Sequence, residues 1–220
     1  MAVLPDGSLA IVGWRNGGFA AKLDAGGRLL WLTSDHRSHF QPGPFSSVLV
    51  NNRGAICAGG VDGFTIFSEK GKPLHSDDSL DGVPVALTAN GGYLFDQRIG
   101  PYVSAVDDKG RTQWRTHTGS LYRFGVVSDG AKGWITTGTA GRDYQLTFFH
   151  LDKHGTESWR KSFQGYAYLG RSNAWAEDRT LNSFLCAPDG TLRIVLNLAG
   201  SHGVEPGVAV AAFVLEEQPQ

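Results

Sequence analysis

The sequence predicts an all-β chain folded as a β-propeller of about five four-stranded blades, the last blade lacking its outer strand. Three observations predict it. An ending of the form apolar-Asp-x-x-Gly-x-x-x-Trp runs from Leu23 to Trp31, from Val106 to Trp114 and from Leu151 to Trp159; a degenerate copy runs from Phe67 to His75, and a fifth opens at Leu215-Glu216. A tight turn between apolar residues precedes each copy. Finally, 30 glycines in 220 residues, about twice the usual ~7%, interrupt the chain too often for long helices, and no segment carries a 3.6-residue apolar period. Five units in this length give about 44 residues each, inside the ~40–50 of propeller blades.

The blades follow in order within a single domain, 1–220. The first, about 1–33, opens with the strand Met1-Ala-Val-Leu4, turns at Pro5-Asp6-Gly7 and closes on Trp31. The second, about 46–75, turns at Asn52-Arg53-Gly54 and has His75 in the Trp place. The third, about 84–116, turns at Asn90-Gly91-Gly92 and closes on Trp114. The fourth, about 123–163, turns at Ser128-Asp129-Gly130, with strands near 123–128, 132–138, 143–151 and 156–163. The fifth, about 182–216, turns at Pro188-Asp189-Gly190 and leaves Val208–Leu215 as an outer edge that is apolar on both faces. Such an edge invites pairing, so a partner chain or a homo-oligomer is expected there. Asn-Gly and Asp-Gly favour φ > 0, which predicts two-residue hairpins.

The repeated residues read as structural. Trp31, Trp114 and Trp159 offer a large aromatic at a fixed place in the outer strand, where one blade meets the next. Asp24, Asp107 and Asp152 are placed to cap the third-to-fourth strand turn. Antiparallel order puts both short turns of each blade on one face and the variable loops on the other, near 14–18, 33–45, 75–83, 97–101, 116–123, 138–143, 161–182 and 197–207. Variable loops on a rigid scaffold are where binding residues concentrate. The longest mixes Tyr166, Tyr168 and Trp175 with Arg171, Asn173 and Arg179, and with Arg142 these are the candidate ligand-binding residues. A lid that plugs one end of the channel is the other reading of that loop. Seven of 13 arginines map to this face: Arg15, Arg37, Arg98, Arg123, Arg142, Arg171 and Arg179. Guanidinium pairs bidentately with carboxylate or phosphate, so the expected ligands are anionic, carbohydrate or a protein partner.

The Asp-x-x-Gly-x-x-x-Trp ending after an Asp-Gly turn resembles the repeats of bacterial quinoprotein-like (PQQ-like) β-propeller proteins. The nearest copy is Leu151-Asp-Lys-His-Gly-Thr-Glu-Ser-Trp-Arg-Lys-Ser-Phe163. The resemblance implies a propeller fold and a periplasmic or secreted protein, while the first residues show no basic and apolar leader pattern. The quinone-dependent enzymes of that fold carry a neighbouring cysteine pair, whereas Cys57 and Cys186 are far apart in sequence, so no cofactor is expected. Propeller sialidases are similar in having an Asp-Gly-Trp turn motif, though its spacing differs. That leaves a glycan-active hydrolase as the alternative function, with Tyr166 or Tyr168 beside Glu177 or Glu205, and a fragment of a larger propeller as a third.

Composition removes other classes. A net charge of −1 lacks the basic excess that nucleic-acid binding needs. No apolar run approaches the ~20 residues of a membrane helix. Asp35-His36-Arg37-Ser38-His39 is a weak metal pair. Asp77-Asp78-Ser79-Leu80-Asp81-Gly82 departs from a calcium loop at its third and twelfth positions. The reading is a non-catalytic propeller scaffold or ligand-binding module, with no metal.

Overall fold

The computed structural model describes residues 1–14, 18–35, 45–60, 62–80, 82–97, 102–130, 133–140, 145–163, 184–186, 191–198 and 207–214. They form two compact units, Met1–Thr118 and Gly119–Gln220. Every described element is a strand, in antiparallel sheets whose strands follow chain order. That is the predicted all-β propeller architecture, one blade to a sheet.

Unit 1 holds three blades. The first is β1 (Ala2–Val3), β2 (Leu9–Trp14), β3 (Gly18–Leu23) and β4 (Leu29–Asp35). The second is β5 (Phe45–Val50), β6 (Ile56–Gly60), β7 (Gly63–Phe67) and β8 (Pro73–Asp77). The third is β9 (Val83–Leu87), β10 (Tyr93–Asp96), β11 (Tyr102–Val106) and β12 (Thr112–His117). Unit 2 holds a four-stranded blade, β13 (Ser120–Ser128), β14 (Gly133–Ala140), β15 (Gln145–Asp152) and β16 (Glu157–Phe163). Its second sheet has three described strands, β17 (Phe184–Cys186), β18 (Thr191–Leu198) and β19 (Gly207–Val214). Among the described residues β19 pairs only with β18, so the predicted outer edge is present. Ser120 opens β13, which moves Arg123 from the expected 116–123 loop into a strand.

The turns differ from the two-residue hairpins that the sequence predicts. In each, the first residue donates its N–H to the carbonyl four residues on: Leu4 to Ser8, Asp24 to Arg28, Asn51 to Ala55, Ser68 to Lys72, Thr88 to Gly92, Asp107 to Arg111 and Asp152 to Thr156. Three residues therefore lie in each loop, and the fourth position carries a left-handed glycine: φ is +78° at Gly7, +83° at Gly27, +79° at Gly71 and +83° at Gly110. A type I turn followed by one left-handed residue needs a single glycine, so the Asn or Asp before it stays in ordinary backbone space.

The residue that opens the turn holds it. Asp24 Oδ1 accepts the N–H groups of Gly26 and Arg28, Asp107 those of Lys109 and Arg111, and Asp152 those of His154 and Thr156. Asn51 does the same for Arg53 and Ala55. Ser68 and Thr88 make the second bond alone, to the N–H groups of Lys72 and Gly92. Leu4 has no acceptor, and Asp6 inside the loop substitutes by accepting the Ser8 N–H.

Blades pack face to face through apolar rows. Leu4, Ala10 and Ala20 of the first blade share a core with Phe45, Val48, Ile56, Ala58 and Phe67 of the second. Cys57, Phe64, Ile66 and Leu80 of the second share one with Tyr93, Phe95 and Val106 of the third. At the outer rim the Trp position of one blade sits on the turn glycine of the next. The Trp31 indole lies over Gly71, where an added Cβ would fall 2.6 Å from Cδ2, and its Nε1 donates to the Glu69 carbonyl at 2.9 Å. His75 sits on Gly110 in the same way, 2.1 Å from an added Cβ, although its buried Nε2 has no hydrogen-bond partner among the described residues.

A left-handed alanine costs roughly 1–2 kcal/mol, and over-packing costs a further ~1–3 kcal/mol. Gly7→Ala, whose Cβ meets only the Ala25 methyl at 3.5 Å, should show the first cost alone. Gly110→Ala should show both, read as a larger drop in the urea midpoint.

Candidate functional site

Strand order places both short turns of each blade on one face and the second-to-third and blade-to-blade loops on the other, as predicted. In unit 1 the two faces differ in what their polar groups do.

On the short-turn face charges are spent on partners within the unit. Lys22, next to the last residue of β3, is buried, and its Nζ lies 3.4 Å from Asp6 Oδ2 and 3.2 Å from Glu69 Oε1. Both carboxylates are exposed, so the buried lysine stem carries its ammonium out to meet them. Arg53 pairs with Asp108 between the second and third blades, and Asn51 Nδ2 donates to the Gly91 carbonyl at 2.9 Å. A cleft of about 240 Å³ opens between Arg53, Ser68, Glu69, Leu74 and Asp108, but its charged groups are the members of these pairs. The face is knitted to itself.

The variable-loop face carries a different arrangement in the third blade. Period-two alternation along β12 puts Arg115 and His117 on one side, opposite Ser104 and Tyr102 of β11. The Arg115 guanidinium lies 4.1 Å over the Tyr102 ring and donates from Nη2 to Gln97 Oε1 at 2.8 Å. Gln97 is buried, and its N–H donates to the Tyr102 carbonyl at 3.2 Å, which fixes the acceptor that holds the arginine. The His117 ring stands edge-on to Tyr102 at 5.1 Å.

Arg115 is singled out by comparison. Of the arginines whose side chains are described, Arg28 faces Asp24, Arg53 faces Asp108, Arg111 faces Asp107 and Arg160 faces Glu157. No described carboxylate faces Arg115. Its cation is held by a π face and an amide, neither of which neutralises it. The guanidinium fork keeps donors for an outside carboxylate or phosphate.

The sequence-predicted site residues Arg142, Tyr166, Tyr168, Arg171, Asn173, Trp175 and Arg179 lie outside the described residues. So do Arg15, Arg37, Arg98, His36, His39, Glu177 and Glu205. Arg115 was missed because it belongs to a strand rather than a loop. The signal was there: Gln113, Arg115 and His117 alternate at the loop end of an outer strand. In the acidic stretch that begins at the end of β8, Asp77 Oδ1 accepts the Ser79 N–H at 2.8 Å and hydroxyl at 2.6 Å, and Leu80 is buried in the core. Asp77 is thus a turn cap. Cys57 is a buried core residue whose thiol burial pushes far upward in pKa. Among the described residues no group of three or more His, Cys, Asp or Glu could hold a metal, and no helix is long and apolar enough to cross a membrane.

No protein-family model and no curated protein matches the chain. Solved structures do. The Neurospora crassa Pan2 WD40 domain is similar at 15% identity over 95% of this chain and 59% of its own, with a TM-score of 0.60. The virginiamycin B lyase of Staphylococcus aureus is similar at 12% identity over 99% and 69%, with a TM-score of 0.56. BBS1N, solved in complex with ARL6DN, is similar at 12% identity over 90% and 60%, with a TM-score of 0.54. At these identities the likeness is one of fold, and the chain spans about three fifths of the first and last of these structures.

The turn acids set an acid limit on stability. Asp24 is held below the ordinary carboxylate range, first by the Arg28 backbone N–H, against a burial effect that raises it. A lowered folded pKa contributes stability that is present above the unfolded value of ~3.9 and lost as pH falls through the folded value. Asn51 makes the same two backbone bonds without a charge. Asp24→Asn should therefore keep its turn at neutral pH and flatten the loss of thermal stability below about pH 4, measured as Tm against pH.

Proposed function

We propose that the protein is a non-catalytic propeller module that binds an anionic group through its variable-loop face, on an acidic carbohydrate or an acidic segment of a protein partner. The observation that carries this reading is the Arg115 guanidinium, stacked on Tyr102, bonded to Gln97 and facing no described carboxylate. A fixed cation at the loop end of a strand is pre-ordered for an oxyanion, so little side-chain freedom is lost on binding. The neighbours support a module of this kind in general terms, since they include a WD40 domain and a propeller determined with a protein bound.

The candidate residues Arg142, Tyr166, Tyr168, Arg171, Asn173, Trp175 and Arg179 of unit 2 are carried forward separately, as a second proposed set of ligand-binding residues. The likeness of the repeats to quinoprotein-like propellers is carried forward with them, as kinship of fold without the quinone.

A thermal-shift panel of acidic sugars, neutral sugars and phosphate compounds tests the reading. Ligand at 100 times its Kd adds about 2.7 kcal/mol, a Tm rise of roughly 5–10 °C for a chain of this size. Acidic compounds should give that rise, neutral sugars should not, and Arg115→Gln should abolish it. A rise that survives Arg115→Gln but fails in Arg171→Ala or Trp175→Ala would move the site to the long loop. A flat panel would sink the small-ligand form of the proposal.

We also take residues 1–220 as one propeller domain. Calorimetry should then show one transition, whereas two would divide the protein at the Thr118–Gly119 boundary.

A further inference from the structure

The first blade carries the same docking features as the second and third, but they are unfilled within unit 1. Three positions define the receiving face of a blade. They are the first and third residues after the first turn, and the apolar residue that precedes the Asp of the repeat. In the second blade these are Ile56, Ala58 and Phe67, exposed by 0, 0 and 2%. In the third they are Tyr93, Phe95 and Val106, exposed by 0, 0 and 1%. In the first they are Leu9, Ile11 and Leu23, all only partly buried. Around them Val3 is 67% exposed and Leu32 61%. Leu32 pairs with Ala21, and Ala21 with Ile11, so these side chains share one face of the sheet. Leu4, Ala10 and Ala20 occupy the other face, against the second blade.

The rim repeats the pattern. Gly71 and Gly110 lie under Trp31 and His75, whereas Gly27, in the same turn with the same left-handed φ of +83°, has nothing within 4 Å of an added Cβ. A charged or polar surface would make an ordinary end to a stack. Here the end is an apolar face with an empty glycine socket beside it.

We infer that this face of the first blade is a docking site for one further blade of the same repeat, on polypeptide beyond these 220 residues, whose outer-strand aromatic seats on Gly27. The two filled sockets define the occupant's chemistry, a Trp or His eight residues after the apolar position of its own repeat. Length agrees: this chain spans 59 to 69% of the propellers it matches in fold, which leaves room for further blades. A lone hairpin without that aromatic would cover the apolar row and leave the socket open.

The test is maleimide labelling of Leu32→Cys in a Cys186→Ala background, with Cys57 protected by burial. The 220-residue chain is compared with one carrying a copy of residues 119–163 ahead of Met1, joined by a copy of the 78–82 connector. That copy brings Trp159 one blade before Gly27. The unextended chain should label rapidly at every protein concentration, the extended chain at least about tenfold more slowly, in keeping with burial of a face worth more than 1.4 kcal/mol of protection. Gly27→Asn, which tolerates the left-handed turn but fills the socket, should restore rapid labelling in the extended chain. Slow labelling of the unextended chain at all dilutions would mean that its own later blade covers the face. Slow labelling only at high concentration would mean a second copy does. Either result overturns the inference, as does equal labelling of the two chains. If the extended chain fails to fold, a copy of residues 2–35 serves as the added blade and is read in the same way.

Discussion

The contact on which the architecture depends is an aromatic ring lying on a glycine. Trp31 covers Gly71 and His75 covers Gly110, each at the point where the outer rim of one blade meets the last turn of the next. A side chain on that glycine would collide with the ring, and glycine holds φ near +80° at the least cost, with Asn and Asp next. The two requirements coincide at one atom position, which is why the repeat is sharpest in its Gly and Trp. The Asp exists to hold the turn that presents the glycine, through two backbone N–H groups. His in the Trp place of the second blade keeps the ring, while its buried Nε2 has no hydrogen-bond partner among the described residues. The packing part of the contact therefore suffices to seat a blade, and the indole N–H to the Glu69 carbonyl adds to it.

Division of labour between the two ends of the blades follows from this. Short turns must be rigid to present their glycines, and their charged residues are drawn into pairs across blades, as in Lys22 with Glu69 and Arg53 with Asp108. Groups so committed have little left for a ligand. At the loop end of the third blade Arg115 is placed by other means. It is oriented by an aromatic face and an amide rather than by an acid, which leaves its charge available while its position is fixed.

Much of the fold was legible because it rests on local and repeated chemistry. Leu151 to Trp159 spells out a strand end, a capped turn and a rim aromatic, and β15 and β16 follow it closely. The three-residue loops were misread as two-residue hairpins because Asp-Gly and Asn-Gly serve both. The distinction lies in the closing hydrogen bond four residues along, which no dipeptide encodes. Site residues were harder for a physical reason. Loops announce themselves by length and composition, as 161–182 does, while Arg115 lies inside a regular strand. What marks it is a three-dimensional fact, the juxtaposition of β10, β11 and β12 that brings Gln97 and Tyr102 to it.

The same reasoning separates stability from recognition in this chain. A blade in this fold is held by its neighbour through an apolar row and a rim ring, both non-directional or nearly so, and the strength of each contact scales with area buried. Such contacts specify that a blade will dock but say little about which ligand will bind. Specific recognition needs directional groups whose charge is not already neutralised. In unit 1 the described arginines sort cleanly on that criterion: Arg28, Arg53 and Arg111 serve the turns, and Arg115 does not. An oxyanion arriving at Arg115 would replace no ion pair among the described residues. That asymmetry, more than the number of arginines on the face, is the argument for the loop end of the third blade as the proposed anion site.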